Sequence, residues 1–125
     1  MKQIRVLRLY PRHYPVPADI DNTLEALQEA VGGLIETVRI TEKIVIVCNE
    51  EGKLKNLPKN RELVWKLGDD KKQIVVNRDI LVGDALICGV EGDEFRSLTA
   101  REQWYLVQHF QTEEVDMTAE GLKYL

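Results

Sequence analysis

The sequence predicts an α+β fold: a single domain with a mainly antiparallel sheet packed by two helices. Three observations carry this. Runs with strand character recur in the order strand, helix, several strands, helix. Short turn-forming segments join the consecutive strands, which favours antiparallel pairing. Both helices begin with capping-box residue types, Asn22 with Glu25 and Thr99 with Glu102. At 125 residues the chain has the size of one domain, and residues 1–110 are expected to form it, followed by an acidic C-terminal extension at 111–125.

Residues 3–10 place Ile4, Val6, Leu7 and Leu9 in a short aliphatic run, a first strand ending at Pro11. Pro11, Pro15 and Pro17 then exclude regular pairing or helix, because each removes a backbone donor and biases its predecessor to extended geometry. His13 and Tyr14 fall in the resulting loop. A helix is expected from Asn22, with Leu24, Leu27 and Val31 as its buried stripe and Gly32-Gly33 closing its C-terminus. A glycine pair also suits phosphate loops, but those open a helix, whereas this pair ends one.

Residues 34–41 alternate as a strand with one drier face. The apolar run 44–48 reads as a central strand covered on both faces. Asn49-Glu50-Glu51-Gly52 is rich in turn formers, so Lys53-Leu54-Lys55 should double back. Residues 56–60 surround Pro58 as a loop, and 61–67 fits either a short helix or an extended edge. Gly68-Asp69-Asp70-Lys71 suits a hairpin turn before a strand at 73–76, interrupted at Asn77-Arg78-Asp79. Residues 80–82 and 85–88 are one strand broken at Gly83 or two short ones. A turn at 91–94 and a short extended piece at 95–98 lead to the second helix. Either Gln103, Leu106 and Phe110 or Trp104 and Val107 supply its inner face. From Gln111 the chain reads as a tail unless a partner or its own domain holds it.

Charge narrows the partners. With 17 basic and 21 acidic residues the net charge is −4, which argues against duplex nucleic acid, a partner that calls for a basic footprint. The charge is uneven: residues 53–72 hold seven basic against three acidic residues, and residues 91–125 hold three against eight. Cys48 and Cys88 lie in apolar runs and read as buried, reduced thiols. The N-terminus lacks a signal-like apolar stretch, and no run approaches the roughly 20 apolar residues of a membrane span. A cytoplasmic protein is expected, with no membrane partner.

No spacing of His13, His109, Cys48 and Cys88 suits a metal site, and neither a metal nor a cofactor is expected. Nucleophile-elbow, phosphate-loop and dinucleotide patterns do not occur. Cys48 with His13 or His109 leaves open a small cysteine-dependent or nucleotide-acting enzyme, although an apolar strand raises a thiol's pKa and lowers its reactivity. The densest set of donors and acceptors follows the central strand, where loops on rigid elements tend to bind ligands. Arg61 suits bidentate anion contacts, Lys53 and Lys59 act as point charges, Asn49 and Asn60 as amide readers, and Arg78 adds a further cation. The same region is otherwise a solvated face, or a basic patch that self-associates with the acidic tail.

Residues Leu27-Gln28-Glu29-Ala30-Val31-Gly32-Gly33 with Ile35-Glu36, Cys48-Asn49-Glu50-Glu51-Gly52-Lys53-Leu54, Leu57-Pro58, Asn60-Arg61 and a strand ending in Gly89 resemble the domain-of-unknown-function family numbered 3846. The resemblance covers roughly residues 1–110. The proline-rich loop 11–17 and the extension after Phe110 depart from the compact family pattern. Members of that family occur in bacteriophages, plasmids and their bacterial hosts. The resemblance therefore implies a non-catalytic binding protein of a phage or mobile element, working in the host cytoplasm. One form of that role is sequestration of a small anionic, nucleotide-derived defence signal. The other is a protein inhibitor, docking its acidic segment and aromatic helix on a host factor. A homo-oligomer is expected if the ligand is small, because subunit boundaries supply concavity that a domain of this size lacks.

Overall fold

Alternation on three strands builds the middle of the molecule, whose computed structural model describes residues 2–125. In β1 (Gln3–Leu9), β4 (Ile44–Asn49) and β7 (Ala85–Glu91) successive side chains enter two different cores. Ile4, Val6, Val45, Val47, Leu86 and Cys88 face one, with Leu27 and Val31 of α1 (Leu24–Val31). Leu7, Leu9, Ile44, Ile46, Cys48, Ala85 and Ile87 face the other. That second core is closed by Leu106 and Phe110 from the region of α2 (Ala100–His109) and by Leu63, Leu81 and Val115 of a second sheet. Every residue of β4 is buried, as its apolar run requires.

The first sheet runs β2-β1-β7-β4-β3, with β2 at Val16–Asp21, β3 at Ile35–Thr41, and β8 (Glu94–Arg96) paired to β7. The second runs β6-β5-β9, with β5 at Lys59–Asp69, β6 at Lys72–Val82 and β9 at Glu114–Asp116. All pairings are antiparallel except β5 with β9. The α+β class with mostly antiparallel pairing is thus present, but its strands divide between two sheets. The division falls at Gly83-Asp84, where the chain leaves β6 in one sheet and enters β7 in the other. Residues 80–88 are two strands, and 61–67 is strand, not helix.

Several local expectations change. The prolines do not keep residues 11–17 out of the sheet: β2 starts at Val16, and Pro17 lies opposite Leu7. Edge strands tolerate proline because no second neighbour needs its missing N–H, so the irregular loop shrinks to residues 10–15. Thr23, not Asn22, caps α1, its hydroxyl accepting from the Ala26 N–H at 3.1 Å. Asn22 instead donates to the Phe95 carbonyl at 3.0 Å. Leu24 is exposed, leaving Leu27 and Val31 as the buried stripe. The Thr99–Glu102 capping box is complete, and Leu106 with Phe110 faces inward while Trp104 faces solvent. The expected interruption at residues 77–79 is absent: Asn77, Arg78 and Asp79 pair with Trp65, Val64 and Leu63 within β6, and the irregularity is a β-bulge just before them, where Val76 is the extra residue between the Trp65–Asn77 and Lys66–Val75 pairs.

Residues 111–125 are held by their own domain. β9 pairs with β5, a short 3-10 helix spans Glu120–Tyr124, and Val115, Met117 and Leu122 are buried. Among the described residues no helix is long and apolar enough to cross a membrane.

Candidate anion-binding site

The start of β5 has to be irregular for its polar residues to turn inward. Lys59 lies opposite Val82 and Arg61 opposite Leu81, so Asn60 is an extra residue. The bulge re-aims its neighbours, and both Asn60 and Arg61 are buried. The Asn60 amide donates to the Leu9 carbonyl at 2.8 Å and the Gly83 carbonyl at 2.7 Å, joining the end of β1 to the crossing between the sheets. Its side-chain oxygen accepts from Arg61 Nη1 at 2.7 Å.

Arg61 ties three segments together. Nε donates to the Phe110 carbonyl at the end of α2 (2.9 Å), Nη1 to the Tyr10 carbonyl (3.3 Å), and Nη2 to the His13 carbonyl (2.7 Å). Its acceptors are all neutral oxygens, and among the described residues no carboxylate lies within ion-pair distance. Burial lowers its pKa from the ordinary value, but guanidinium starts so high that the group stays charged. A buried cation met only by dipoles leaves a positive potential at its surface.

That surface floors a cavity of about 610 Å³ bounded by Arg12, His13 and Tyr14 of the proline-rich loop, Lys59 to Arg61 of β5, and Gln111 to Glu113 after α2. Arg12 holds a left-handed backbone (φ 62) uncommon for a residue with a side chain; Arg61 fixes the carbonyls on either side of it. Lys59 is 3.2 Å from Glu113 and 3.6 Å from Glu62. Glu113 is the one carboxylate lining the cavity, against Arg12, Lys59 and Arg61.

The other expected binding residues lie elsewhere. Lys53 and Arg78 border a separate cavity of about 530 Å³, where Lys53 pairs with Asp79 and Arg78 with Glu62, two cations against two anions. Asn49 is a structural hinge: its amide donates to the Val31 carbonyl at the end of α1 (3.2 Å), and its oxygen accepts from the Glu51 N–H (2.8 Å). A Cβ on Gly33 would lie 2.8 Å from that amide nitrogen, so the glycine after the helix cap admits Asn49. Cys48 lies 3.8 Å from Glu36, and burial followed by that carboxylate's charge pushes its pKa up to about 12. Burial does the same to Cys88, also to about 12.

The structure therefore brings together Lys59, Asn60 and Arg61 and leaves Asn49 and Lys53 apart from them, while Arg78 meets Lys59 only through Glu62, which both contact. The sequence reading missed Arg12, His13, Tyr14 and Glu113. The prolines flanking His13 and Tyr14 mark a stiff loop, but no local signal says that it folds over β5.

A family model described as Domain of unknown function (DUF3846) matches residues 4–111. The chain belongs to that family. The DUF3846 match stops at Gln111, before β9 and the 3-10 helix, and includes both the Val31-Gly32-Gly33 to Asn49 contact and the Asn60-Arg61 bulge. No curated protein and no solved structure matches the chain.

Proposed function

We propose that this DUF3846 protein is a non-catalytic binder that sequesters a small, nucleotide-derived anion in the cavity floored by Arg61. One observation carries the reading: a buried guanidinium without a carboxylate partner at the base of a cavity of about 610 Å³. Arg12 and Lys59 on the walls add charge-assisted donors for phosphate oxygens. Tyr14, exposed at the rim, offers a face on which a base stacks. High thiol pKa values at Cys48 and Cys88 leave little thiolate for nucleophilic chemistry, which favours binding over a cysteine-dependent reaction. Docking of a host protein on the acidic C-terminal segment has less support, because Glu113, Glu114 and Asp116 face Lys59, Arg78 and Lys66 of their own chain. In the fullest form of the proposal the ligand is a host defence signal and the binder a cytoplasmic protein of a phage or mobile element, a context drawn from the family resemblance.

The test is thermal denaturation with nucleoside monophosphates, cyclic mononucleotides and cyclic dinucleotides, with mass spectrometry of the recovered ligand. A ligand at one hundred times its Kd stabilises the folded state by about 2.7 kcal/mol. At least one nucleotide is expected to raise Tm and to be recovered intact. Arg12→Ala with Lys59→Ala should abolish that shift while lowering ligand-free stability only by what the exposed Lys59 ion pairs contribute, about 0.2–1 kcal/mol each. No shift with any nucleotide, or turnover of the bound one, would overturn the reading.

A further inference from the structure

We propose that Glu113 makes the Arg61 cavity selective for guanine among the nucleobases, its carboxylate accepting from the N1–H and the N2 amine of the base while the cationic residues hold the phosphate. This rests on the reading that the cavity takes a nucleotide, and it adds which base that nucleotide carries.

A carboxylate is out of place in a cavity for a bare anion. Arg12, Lys59 and Arg61 attract phosphate oxygens, and Glu113 on the same cavity repels them. A ligand that gains from both kinds of group carries its negative charge at one end and N–H donors at the other. The backbone fixes Glu113 for that second contact. Its carbonyl accepts from the Glu62 N–H at 2.7 Å, next to Arg61, and the hydroxyl of Thr112 donates to the Glu114 carbonyl at 2.7 Å. The Glu113 side chain is 72% exposed, so a ligand reaches it without displacing protein. Lys59 approaches Oε1 at 3.2 Å, which uses one of about four lone-pair sites on a carboxylate and leaves acceptors on both oxygens.

The chemistry of the bases then selects one. An ionised carboxylate accepts and cannot donate, so its two oxygens call for two adjacent donors. Guanine presents them on its Watson–Crick edge, the edge by which unpaired bases are read. Adenine and cytosine set their amine beside a ring nitrogen whose lone pair would face the carboxylate, and uracil flanks its single N–H with two carbonyl oxygens. The cavity, about 610 Å³, lies within the roughly 300–1,000 Å³ of small-molecule sites. Tyr14 on the proline-rich loop supplies a stacking face for the purine ring.

Calorimetric titration of the full chain with guanosine, inosine and adenosine monophosphates, and with the cyclic dinucleotides of guanosine and adenosine, tests this. In each class the guanosine compound is expected to bind about tenfold more tightly than the adenosine compound, toward the low end for a two-bond base contact because the carboxylate is exposed. Inosine monophosphate, which keeps N1–H but lacks the N2 amine, should fall between the other two monophosphates, a readout that needs no variant. Glu113→Gln should remove the preference for guanosine while the adenosine compounds bind at least as tightly as before, because the phosphate contacts remain and a like charge is gone. Equal affinity for guanosine and adenosine compounds, or a preference that survives Glu113→Gln, overturns the guanine assignment and leaves nucleotide sequestration standing. Binding of none of these nucleotides overturns both.

Discussion

Among single residues, Glu102 combines the most roles. It is buried, completes the capping box by accepting from the Thr99 N–H at 2.8 Å, and binds Arg96 through both carboxylate oxygens at 2.9 and 3.1 Å. Burial pushes its pKa up, but the Arg96 guanidinium and the Thr99 N–H outweigh that effect and hold it below the ordinary glutamate value. A carboxyl lowered in the folded state contributes stability that is fully present above its unfolded pKa, about 4.3. That contribution is lost as pH falls through the lower, folded value. Glu102→Ala should therefore cost about 3 kcal/mol at pH 7, the low end for removing one partner of a buried pair, since Arg96 keeps some contact with solvent. Urea denaturation of both proteins from neutral to acid pH checks this: the two stability curves should converge below about pH 4. Parallel curves would show that the carboxylate charge contributes nothing. The capping box itself was legible because its signal spans only four residues. The Arg96 partner was not, because it lies on a different element, at the end of the β7–β8 hairpin.

For whole elements, legibility depends on whether the signal is local. β4 and β7 declared themselves through unbroken apolar runs that serve two cores at once. Strand β9 did not, because Glu114-Val115-Asp116 offers one apolar side chain in an acidic setting, and its role depends on β5, some fifty residues earlier. The burial of Asn60 and Arg61 was illegible for a related reason. In sequence they are polar residues in a basic stretch, suited to an exposed reader, and only the bulge turns them inward. The segment after α2 has a clear energetic consequence. Deleting residues 111–125 removes Val115, Met117 and Leu122 from the core, at about 1.5–3 kcal/mol for each side chain. Their sum approaches the whole stability of an ordinary domain, about 5–15 kcal/mol. The truncated chain should lose its cooperative thermal transition in circular dichroism, whereas a dispensable tail would leave Tm close to that of the full chain.

Across the whole molecule, part of the uneven charge is met inside. The basic stretch contributes β5 and the start of β6, the acidic end contributes β9, and the two lie side by side: Lys59 is 3.2 Å from Glu113, Arg78 3.7 Å from Glu114, and Lys66 4.0 Å from Asp116. A parallel pairing of three residues is a weak ladder by itself, so opposite charges that flank Val115 help to set its register. Of the basic residues left without a carboxylate partner in that stretch, Arg61 is the one that lines a cavity. All three pairs are at least partly exposed, so each contributes about 0.2–1 kcal/mol at moderate ionic strength. Screening tightens from about 10 Å at 0.1 M salt to about 3 Å at 1 M. The urea midpoint should therefore fall as sodium chloride rises over that range, by an amount equivalent to about 1 kcal/mol. Glu113→Gln combined with Glu114→Gln should remove most of that dependence while leaving Val115 in place. If parent and variant respond to salt identically, the charge pairs do not hold β9, and burial of Val115, Met117 and Leu122 alone docks it.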